Sequence, residues 1–273
     1  MNNLEILPFA SEIAREAGAL LLQYRDRGVG IEYKGGYDLV TAADRAAEKL
    51  IVEKLRSRFP SHTIIAEEGT GVERDSDYVW YVDPLDGTTN FAHNFPVFAV
   101  SIGLELEGQG VAGVVYDPSR DELFAAESGS GAYLNSRRIT VSGTAELAKG
   151  LFATGFPNSD RNLNPNVLYF QEISMRTHGV RRPGAAALDL CSVACGRIDG
   201  FWEIGLKPWD VSAGAVIARE AGGRVSSMTG GPHRSGDAHV AVTNGLLHDE
   251  LTKLLRDVSE GRVQTPIPAL APL

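Results

Sequence analysis

The chain has 273 residues, of which 43% are hydrophobic, enough for a sizeable core in one or two domains. Its net charge of −9 argues against a general nucleic-acid-binding surface, although a local basic patch is compatible with it. No apolar run is long enough to cross a bilayer, and residues 1–5 have no basic or signal-like character, so we expect a cytoplasmic protein.

Two amphipathic helices are predicted near the N-terminus, from about Leu4 to Arg27 and from Thr41 to Phe59, because apolar residues recur there at helical spacing. Thr41-x-x-Asp44 resembles a capping box with Asp in place of the usual Glu or Gln, so Asp44 by itself is best explained as a helix-start charge. The intervening loop carries Lys34, which could reach a phosphate, a neighbouring acid or only solvent.

A short strand, Thr63–Ala66, then delivers two adjacent acids, Glu67 and Glu68. Because successive side chains of a strand alternate between its faces, at most one of the two can point directly at a site, with the other in support. Taken alone, such an acid pair at the end of a strand is usually part of a solvated loop.

The most informative stretch is the string Asp-Pro-Leu-Asp-Gly-Thr-Thr-Asn-Phe at 83–91. It follows an apolar run at 79–82 that predicts a buried strand. Asp83 and Asp86 therefore leave the end of a strand three residues apart, in a turn fixed by the proline between them and by Gly87. The alternative is an Asx-rich turn in which both acids only cap backbone groups.

The same turn offers groups to a metal ion and to a phosphate. The proline exposes the Leu85 carbonyl as a possible ligand, and Gly87 leaves no side chain where another group must approach closely. Thr88 is predicted to cap a short helix whose free N–H groups suit a phosphate. Carboxylates beside such a turn would repel the substrate unless cations lay between them, so we predict a hard-metal site.

The rest of the chain divides into an antiparallel meander and, from about residue 143, alternating strands and helices. The predicted meander strands are 98–106, 111–116 and 123–126. The predicted later strands are 151–154, 201–203 and 239–243, and the predicted helices are 166–175, 185–195, 208–221 and 246–258.

Three features of the later segments have a functional and a structural explanation. Gly184 and the amides after it begin a helix and could hold an anion or a sugar hydroxyl, but close helix packing explains the glycine equally well. Asp210 begins another helix and could be only an N-cap. Cys191 and Cys195 share one helix face and are better explained as two buried thiols than as a metal or redox pair.

Four separated segments resemble the inositol monophosphatase family, the lithium-sensitive, magnesium-dependent phosphatases. Residues 83–91 match its first signature, and 209–214 together with 220–223 look like the second. Residues 67–69 are similar to the segment with the metal-binding glutamates, and 38–44 resemble the segment with a helper aspartate. The order of the segments also matches, and the likeness covers nearly the whole chain.

The resemblance implies a site for two or three Mg²⁺ ions, with Mn²⁺ as a possible substitute. A first ion would be held by Glu67, Asp83 and the Leu85 carbonyl, and a second by Asp83, Asp86 and Asp210. Glu67 would also serve a weaker third ion. Thr88, hydrogen-bonded to Asp44, would help to deprotonate the attacking water. The residues implied to bind substrate are Gly87, Thr88, Gly184, Ala185, Glu203, Asp210 and Lys34.

The chemistry also follows from the residue types. Two like charges about 4 Å apart repel by roughly 4 kcal/mol at an effective dielectric of about 20, so converging acids need counter-ions. Oxygen ligands select Mg²⁺, Mn²⁺ or Ca²⁺ over zinc. No Cys, Ser or His is placed as a covalent nucleophile, so direct attack by a Mg-activated water is the simplest mechanism. No P-loop string and no Gly-x-Ser-x-Gly elbow occurs.

The implied fold is α/β, a layered αβαβα sandwich of the sugar-phosphatase type, with an antiparallel sheet in the N-terminal half and a mixed sheet in the C-terminal half. We expect residues 1–143 to carry most metal ligands, residues 144–260 to carry substrate contacts and Asp210, and residues 261–273 to form a flexible tail. The likeness also implies a homodimer. The expected partner is a small phosphate monoester, without membrane or general nucleic-acid binding.

Three functions remain open from the sequence. The first is hydrolysis of myo-inositol 1-phosphate and related inositol monophosphates to inositol and phosphate, which Thr89-Asn90-Phe91 favours over phosphoadenosine phosphate. The second is a broader sugar phosphatase that includes fructose 1,6-bisphosphate. The third is a metal-stabilised scaffold for a protein or RNA partner with vestigial catalysis. Relatives commonly have Ser or Thr where this chain has Ala185, so one hydroxyl contact to the sugar side could be lost.

Overall fold

The computed structural model describes residues 6–27, 31–35, 38–156, 164–234 and 236–266, with the backbone alone at 31–35 and 38–41. None of the helices in these ranges combines the length and the apolar character needed to cross a bilayer. The helices are α1 (Ile6–Arg27), α2 (Ala42–Arg58), α3 (Thr88–Ala92), α4 (Asn166–Ser174), α5 (Ala186–Ala194), α6 (Pro208–Glu220) and α7 (His248–Ser259).

The strands form a hairpin and two larger sheets. The hairpin pairs β1 (Ile31–Gly35) with β2 (Asp38–Thr41). The larger sheet contains β3 (Thr63–Ala66), β4 (Tyr78–Asp86), β5 (Ala99–Leu106), β6 (Gln109–Asp117), β7 (Glu122–Glu127), β8 (Gly131–Leu134) and β9 (Arg137–Ile139). The smaller sheet contains β10 (Leu151–Thr154), β11 (Gly179–Arg181), β12 (Gly200–Ile204), β13 (Arg224–Ser226) and β14 (His239–Thr243).

The two larger sheets differ in strand direction, as predicted. The seven strands β3 to β9 lie in chain order, and every pair is antiparallel except β3 with β4, which run parallel. The five-stranded sheet has the order β11-β10-β12-β14-β13 and mixes parallel and antiparallel pairs. The predicted α/β class is therefore confirmed, with a parallel pair added at one edge of the first sheet.

Three buried apolar clusters separate five layers of secondary structure. The first cluster joins α1 and α2 to one face of the seven-stranded sheet. The second joins the other face of that sheet to α5, α6 and the five-stranded sheet. The third joins the far face of the smaller sheet to α7 and to Ile173 of α4. Successive side chains of β12 point to opposite faces of the smaller sheet, so Phe201 lies in the second cluster and Trp202 in the third.

Glycines in two neighbouring strands allow α6 to lie directly on the first sheet. A Cβ at Gly103 of β5 would be 2.8 Å from the backbone nitrogen of Ala213 in α6. A Cβ at Gly113 of β6 would be 2.9 Å from the carbonyl carbon of the same residue. Such contacts are closer than real Cβ atoms make, so both positions require glycine for this approach. The close packing fixes the start of α6, where Asp210 lies, against β4 and β5.

Several short elements differ from the sequence prediction. The segment between the first two predicted helices contains β1 and β2, and the sequence pattern also missed β8, β9, β11 and β13. The tail predicted to begin at Gly261 is described as far as Pro266, and within it Thr265 contacts α4. Its backbone N–H and hydroxyl both donate to the carboxylate of Glu172. Residues 267–273 lie outside the described part of the chain.

Cys191 lies in α5, Cys195 directly follows the end of that helix as its C-cap, and both are free thiols. Cys191 is buried and Cys195 half-buried, and burial raises the pKa of each thiol above its ordinary value. A thiol with a raised pKa is a poor nucleophile and a poor metal ligand at neutral pH. Their placement agrees with the structural interpretation of the pair.

Candidate active site

Strand β4 carries both acids of the central motif and has a bulge between them. Asp83 pairs with Ser101 of β5, and Asp86 pairs with Ala99, so β4 advances by three residues while β5 advances by two. Residues three apart on a regular strand would point to opposite faces, and the extra residue returns Asp86 to the face of Asp83. Both side chains are buried. The strand thus extends into the motif as far as Asp86 instead of ending before Asp83.

Asp83 and Glu67 face each other across the parallel strands β3 and β4. The backbone N–H of Glu67 donates to the Val82 carbonyl at 3.2 Å, which keeps the end of β3 beside the end of β4. Asp83 accepts the N–H of Leu85 at 2.9 Å. Burial raises the pKa of Asp83 well above its usual range, and the nearby acids Glu67, Asp86 and Asp210 raise it further.

Asp86 lies at the start of α5, a helix that begins a hundred residues later in the chain. The N–H groups of Ala186 and Ala187 donate to its two carboxylate oxygens at 3.3 and 2.7 Å. Burial raises the pKa of Asp86 to about 7, the neighbouring Asp210 adds to the rise, and the two amides oppose it. The amides at the start of α5 were predicted to hold an anion or a sugar hydroxyl, and in the structure they bind a carboxylate of the protein itself.

Asp210 occupies the first turn of α6 and also accepts a backbone N–H. Its Oδ2 accepts the amide of Lys207 at 2.7 Å, which satisfies one of the open donors at the helix start. Burial raises the pKa of Asp210 to about 6, and the amide and charge of Lys207 oppose the rise. The N-cap of α6 is therefore Lys207 instead of Asp210, and Asp210 is the third helical residue, whose side chain caps the Lys207 amide. Its charge also raises the pKa values of Asp83, Asp86 and Glu203, so the carboxylate belongs to the acid group as well.

Thr88 and Asp44 meet behind the central motif, as predicted. The Thr88 hydroxyl lies 3.2 Å from Oδ1 of the fully buried Asp44 and 3.1 Å from the carbonyl oxygen of Leu85. The prediction that Thr88 caps α3 is wrong. Gly87 stands at the N-cap with φ 90°, a conformation that suits glycine, and Thr88 is the first helical residue with its hydroxyl used elsewhere.

The loop before α5 is tied to the central motif by Asn90. Its side-chain N–H groups donate to the carbonyls of Val97 at 2.8 Å and Pro183 at 2.9 Å. Gly184 has φ 89°, in the left-handed region. A Cβ added at Gly87 would lie 3.3 Å from the Cβ of Ala185, so these residues are close neighbours. The structure therefore brings Gly184 and Ala185 to the end of β4.

Two further buried acids, Glu203 of β12 and Asp189 of α5, lie beside this group. Burial raises the pKa of Glu203 to about 8, with added contributions from Asp210 and Asp86. Burial also raises the pKa of Asp189 well above its usual range, with Glu203 as the next contribution. The charge of Arg182 opposes both shifts. The acids of the two halves of the chain therefore form one electrostatic group.

Ion binding by the acids and the role of Lys34 stay predictions. Within the described ranges, no three His, Cys, Asp or Glu side chains stand in a finished metal-binding arrangement. Lys34 lies in β1, and its side chain is outside the described part of the chain. The close placement of the acids is thus established, while their coordination of ions stays a prediction.

Comparison with known proteins identifies the family. A family profile described as "Inositol monophosphatase family" matches residues 2–260. The chain belongs to the inositol monophosphatase family. An inositol-1-monophosphatase of Synechocystis sp. is 47% identical over 252 residues, which cover 91% of this chain and 88% of the relative. On this basis, the protein is a phosphatase.

Two further relatives show the range of names in the family. A protein named Nus factor SuhB, from Pseudomonas aeruginosa, is 45% identical over 88% of this chain and 91% of its own length. The solved structure of an inositol monophosphatase from Anabaena (Nostoc) sp. superposes with a TM-score of 0.86 at 45% identity, covering 94% of this chain and 97% of that one. The likeness to solved inositol monophosphatases confirms the fold.

Three polar residues that organise the site of this phosphatase have no role in the prediction from sequence. Glu48 of α2 is buried and accepts the N–H groups of Glu68 and Thr70 at 2.6 and 2.8 Å, which fixes the turn after Glu67. Asn90 joins the two halves, and Asp189 adds a buried carboxylate. Each acts across a long sequence separation, so no local spacing pattern predicts its role. The one available signal is a polar residue on an otherwise apolar helix face, which applies to Glu48 and Asp189.

Proposed function

We propose that this phosphatase hydrolyses myo-inositol 1-phosphate and related inositol monophosphates, with two or three Mg²⁺ ions, or Mn²⁺, as cofactor. The observation that carries the proposal is the group of four acids, the buried Asp83 and Asp86 and the half-buried Glu67 and Asp210, which lie on converging elements. Three of them have pKa values raised by burial and by one another. Without cations, this group would hold protons at neutral pH.

The donor set fits divalent hard cations. Carboxylate oxygens with the nearby Leu85 carbonyl are the ligands that Mg²⁺ and Mn²⁺ prefer, and no soft sulfur ligand is among them. Asp83 would bridge two ions, with Glu67 and Leu85 on one side and with Asp86 and Asp210 on the other. Because no finished arrangement exists among the described acids, the side chains would have to turn toward the ions on binding.

When bound, the ions would supply positive charge for the phosphate oxygens and the leaving alkoxide, and would make an attacking water more acidic. The chain's own contribution would begin at Thr88. Its hydroxyl points to the buried Asp44, so its oxygen could take a proton from the water while its own proton moves toward that carboxylate. The Gly87 and Thr88 amides would hold the phosphate.

The alcohol part of the substrate would lie against the C-terminal half. Gly184, Ala185, Glu203 and Asp210 would line this side, and Lys34 would assist near the phosphate. Glu203 suits hydroxyl recognition because its carboxyl group, with a pKa of about 8, can both donate and accept hydrogen bonds at neutral pH. A polar pocket built to pair hydroxyls rejects analogues that lack them.

A kinetic comparison tests the substrate. At saturating Mg²⁺, we expect kcat/KM to be higher for myo-inositol 1-phosphate than for fructose 1,6-bisphosphate. A clear preference for the bisphosphate would favour the broader sugar phosphatase. Asp83→Asn should abolish turnover on both, while Glu53→Gln, on the exposed face of α2, should leave both unchanged and serves as the matched control.

The scaffold alternative gains one observation from the comparisons, since relatives 40–45% identical carry the name Nus factor SuhB. A scaffold role would require no turnover. An Asp86→Asn variant that loses hydrolysis but replaces the wild-type protein fully in cells would favour it, whereas loss of cellular function together with hydrolysis would favour the enzyme.

We further infer two properties from the family likeness alone, inhibition by lithium and assembly as a homodimer, and we keep the cytoplasmic location expected from the sequence. Lithium chloride should lower turnover at fixed Mg²⁺, while the same concentration of sodium chloride should not. Sedimentation equilibrium should give twice the mass of one chain, and a monomer at micromolar concentration would contradict the dimer.

A further inference from the structure

Asn166, the first residue of α4, is a fully buried polar side chain that joins two strands of the smaller sheet. Its Nδ2 donates to the Thr154 hydroxyl at 2.9 Å and to the Gly155 carbonyl at 2.5 Å. Its Oδ1 accepts the indole N–H of Trp202 at 2.7 Å. The Thr154 hydroxyl in turn donates to the Trp202 carbonyl at 2.6 Å. These hydrogen bonds hold the end of β10 against the middle of β12, and together they form a clamp made by Asn166, Thr154, Gly155 and Trp202.

The orientation of this amide is fixed by its partners. An indole N–H can only donate and a backbone carbonyl can only accept, so the Asn166 oxygen must face Trp202 and its nitrogen must face Gly155. The side chain is not needed to cap α4, because the backbone N–H of Asn166 already donates to the side chain of Asn164 at 2.9 Å. The clamp therefore has a purpose other than starting the helix.

The clamp ends at Glu203. Trp202 is its chain neighbour, and the Gly155 N–H hydrogen-bonds to the Glu203 carboxylate. A Cβ at Gly155 would collide with that carboxylate, so the Gly155 backbone lies directly against it. Because Asn166 binds both the residue before Glu203 and the residue whose amide supports its carboxylate, a change at Asn166 moves both supports of one buried acid.

We propose that Asn166 is a positioning residue for Glu203 and, through it, for the hydroxyl-bearing alcohol part of the substrate. This inference rests on the proposed function, in which Glu203 contacts that part. Asn166 itself touches no reacting atom. Its loss should therefore weaken recognition of a polyhydroxylated alcohol and leave the chemistry at the phosphate intact.

Two esters separate these effects: myo-inositol 1-phosphate, whose alcohol carries hydroxyls, and 4-nitrophenyl phosphate, whose alcohol carries none. Asn166→Asp keeps the acceptor for the indole and loses both donated hydrogen bonds. We expect its KM for inositol 1-phosphate to rise about tenfold, equal to about 1.4 kcal/mol. Its kcat on 4-nitrophenyl phosphate should change less than about twofold, because that ester makes no contact through Glu203.

Reference variants make the test specific. Glu203→Gln should raise the KM for inositol 1-phosphate alone, and combining it with Asn166→Asp should add little, because both act on one contact. Val167→Ala, on the exposed face of the same helical turn, should behave as wild type. Trp202→Phe removes the indole N–H together with one ring of the indole and should shift KM in the same direction, so it provides a second test if Asn166→Asp does not fold.

Equal losses of kcat on both esters in these variants, or an unchanged KM for inositol 1-phosphate, would overturn the positioning role. Failure of the proposed function would appear differently, in the wild-type protein itself, as no preference for inositol 1-phosphate over 4-nitrophenyl phosphate.

Discussion

At the scale of single residues, the site acids have two tasks at once. Asp86 accepts two amides at the start of α5, and Asp210 accepts one at the start of α6, while both belong to the group of site acids. Backbone amides stabilise the charged form of a carboxylate, which partly offsets the repulsion from its neighbours. The helix starts therefore hold the acids in place before any cation is present.

Asp86→Asn tests this dual role. The asparagine oxygen can still accept the Ala187 amide, but its NH₂ group cannot accept the Ala186 amide, and one negative charge is removed. Loss of a direct ligand should lower kcat/KM by about 100-fold or more, since even second-layer changes at metal sites cost about 10–100-fold. The thermal midpoint without metal should change little, because the lost hydrogen bond and the lost repulsion oppose each other.

The measurement is calorimetric melting with and without Mg²⁺, beside steady-state kinetics. Wild-type protein should gain a higher midpoint from Mg²⁺, and Asp86→Asn should gain less. Equal stabilisation of both proteins by Mg²⁺ would show that Asp86 is not a ligand. Glu53→Gln should match the wild type in both measurements.

His248 leads to a second prediction about a single residue, which concerns the pH dependence of the free energy of unfolding. Its ring bonds the Thr243 hydroxyl at 3.1 Å and the Ser226 hydroxyl at 2.8 Å, and burial lowers its pKa from 6.5 to about 4. Below pH 6.5 the unfolded chain therefore binds a proton that the folded chain does not, so folding stability falls as the pH drops from about 6.5 to about 4.

Urea unfolding at pH 7.5 and pH 5 measures this effect. Wild-type protein should lose more unfolding free energy between the two values than His248→Gln does, by on the order of 1 kcal/mol. The exposed His178→Gln is the control and should keep the wild-type difference. A pH dependence that is unchanged in His248→Gln would exclude a contribution from this ring.

At the scale of elements, the sequence predicted the long helices and the well-patterned strands, and it placed both halves of the acid group. It missed β8, β9, β11 and β13, which are only three or four residues long and gain their stability from neighbours in the sheet. It also ended β4 too early, because the bulge between Asp83 and Asp86 depends on pairing with β5. Residue spacing predicts the local periodicity of a helix or strand. It does not predict the register between strands or a hydrogen bond from a segment far away in the chain.

The contact between α6 and the first sheet yields an element-scale prediction. Gly113→Ala introduces a Cβ against the backbone of Ala213, so α6 must shift and the unfolding free energy should fall by about 1–3 kcal/mol. Because Asp210 lies in the first turn of α6, the Mg²⁺ concentration for half-maximal activity should rise as well.

Gly143→Ala is the matched control, since a Cβ there meets open space and the backbone is not in the left-handed region. Urea denaturation and a Mg²⁺ titration of activity are the measurements. If Gly113→Ala and Gly143→Ala were equally stable, the close approach of α6 would not depend on glycine.

At the scale of the whole molecule, the five layers bring acids from both halves of the chain to one place. Asp83 and Asp86 come from β4 of the seven-stranded sheet and Glu67 from the turn directly after β3, whereas Asp210 and Glu203 come from the second half. One apolar cluster includes residues of both halves, so the two parts of the site are held by a shared core. The division at residues 143 and 144 into separate units stays a prediction.

The most direct test is a crystal of the wild-type protein soaked in Mn²⁺, with anomalous diffraction measured at the manganese edge. We predict anomalous peaks between the carboxylates of Glu67, Asp83, Asp86 and Asp210, with Asp83 shared by two ions. A fully occupied soak in which these side chains diverge and no peak lies among them would contradict the metal-dependent account of the site.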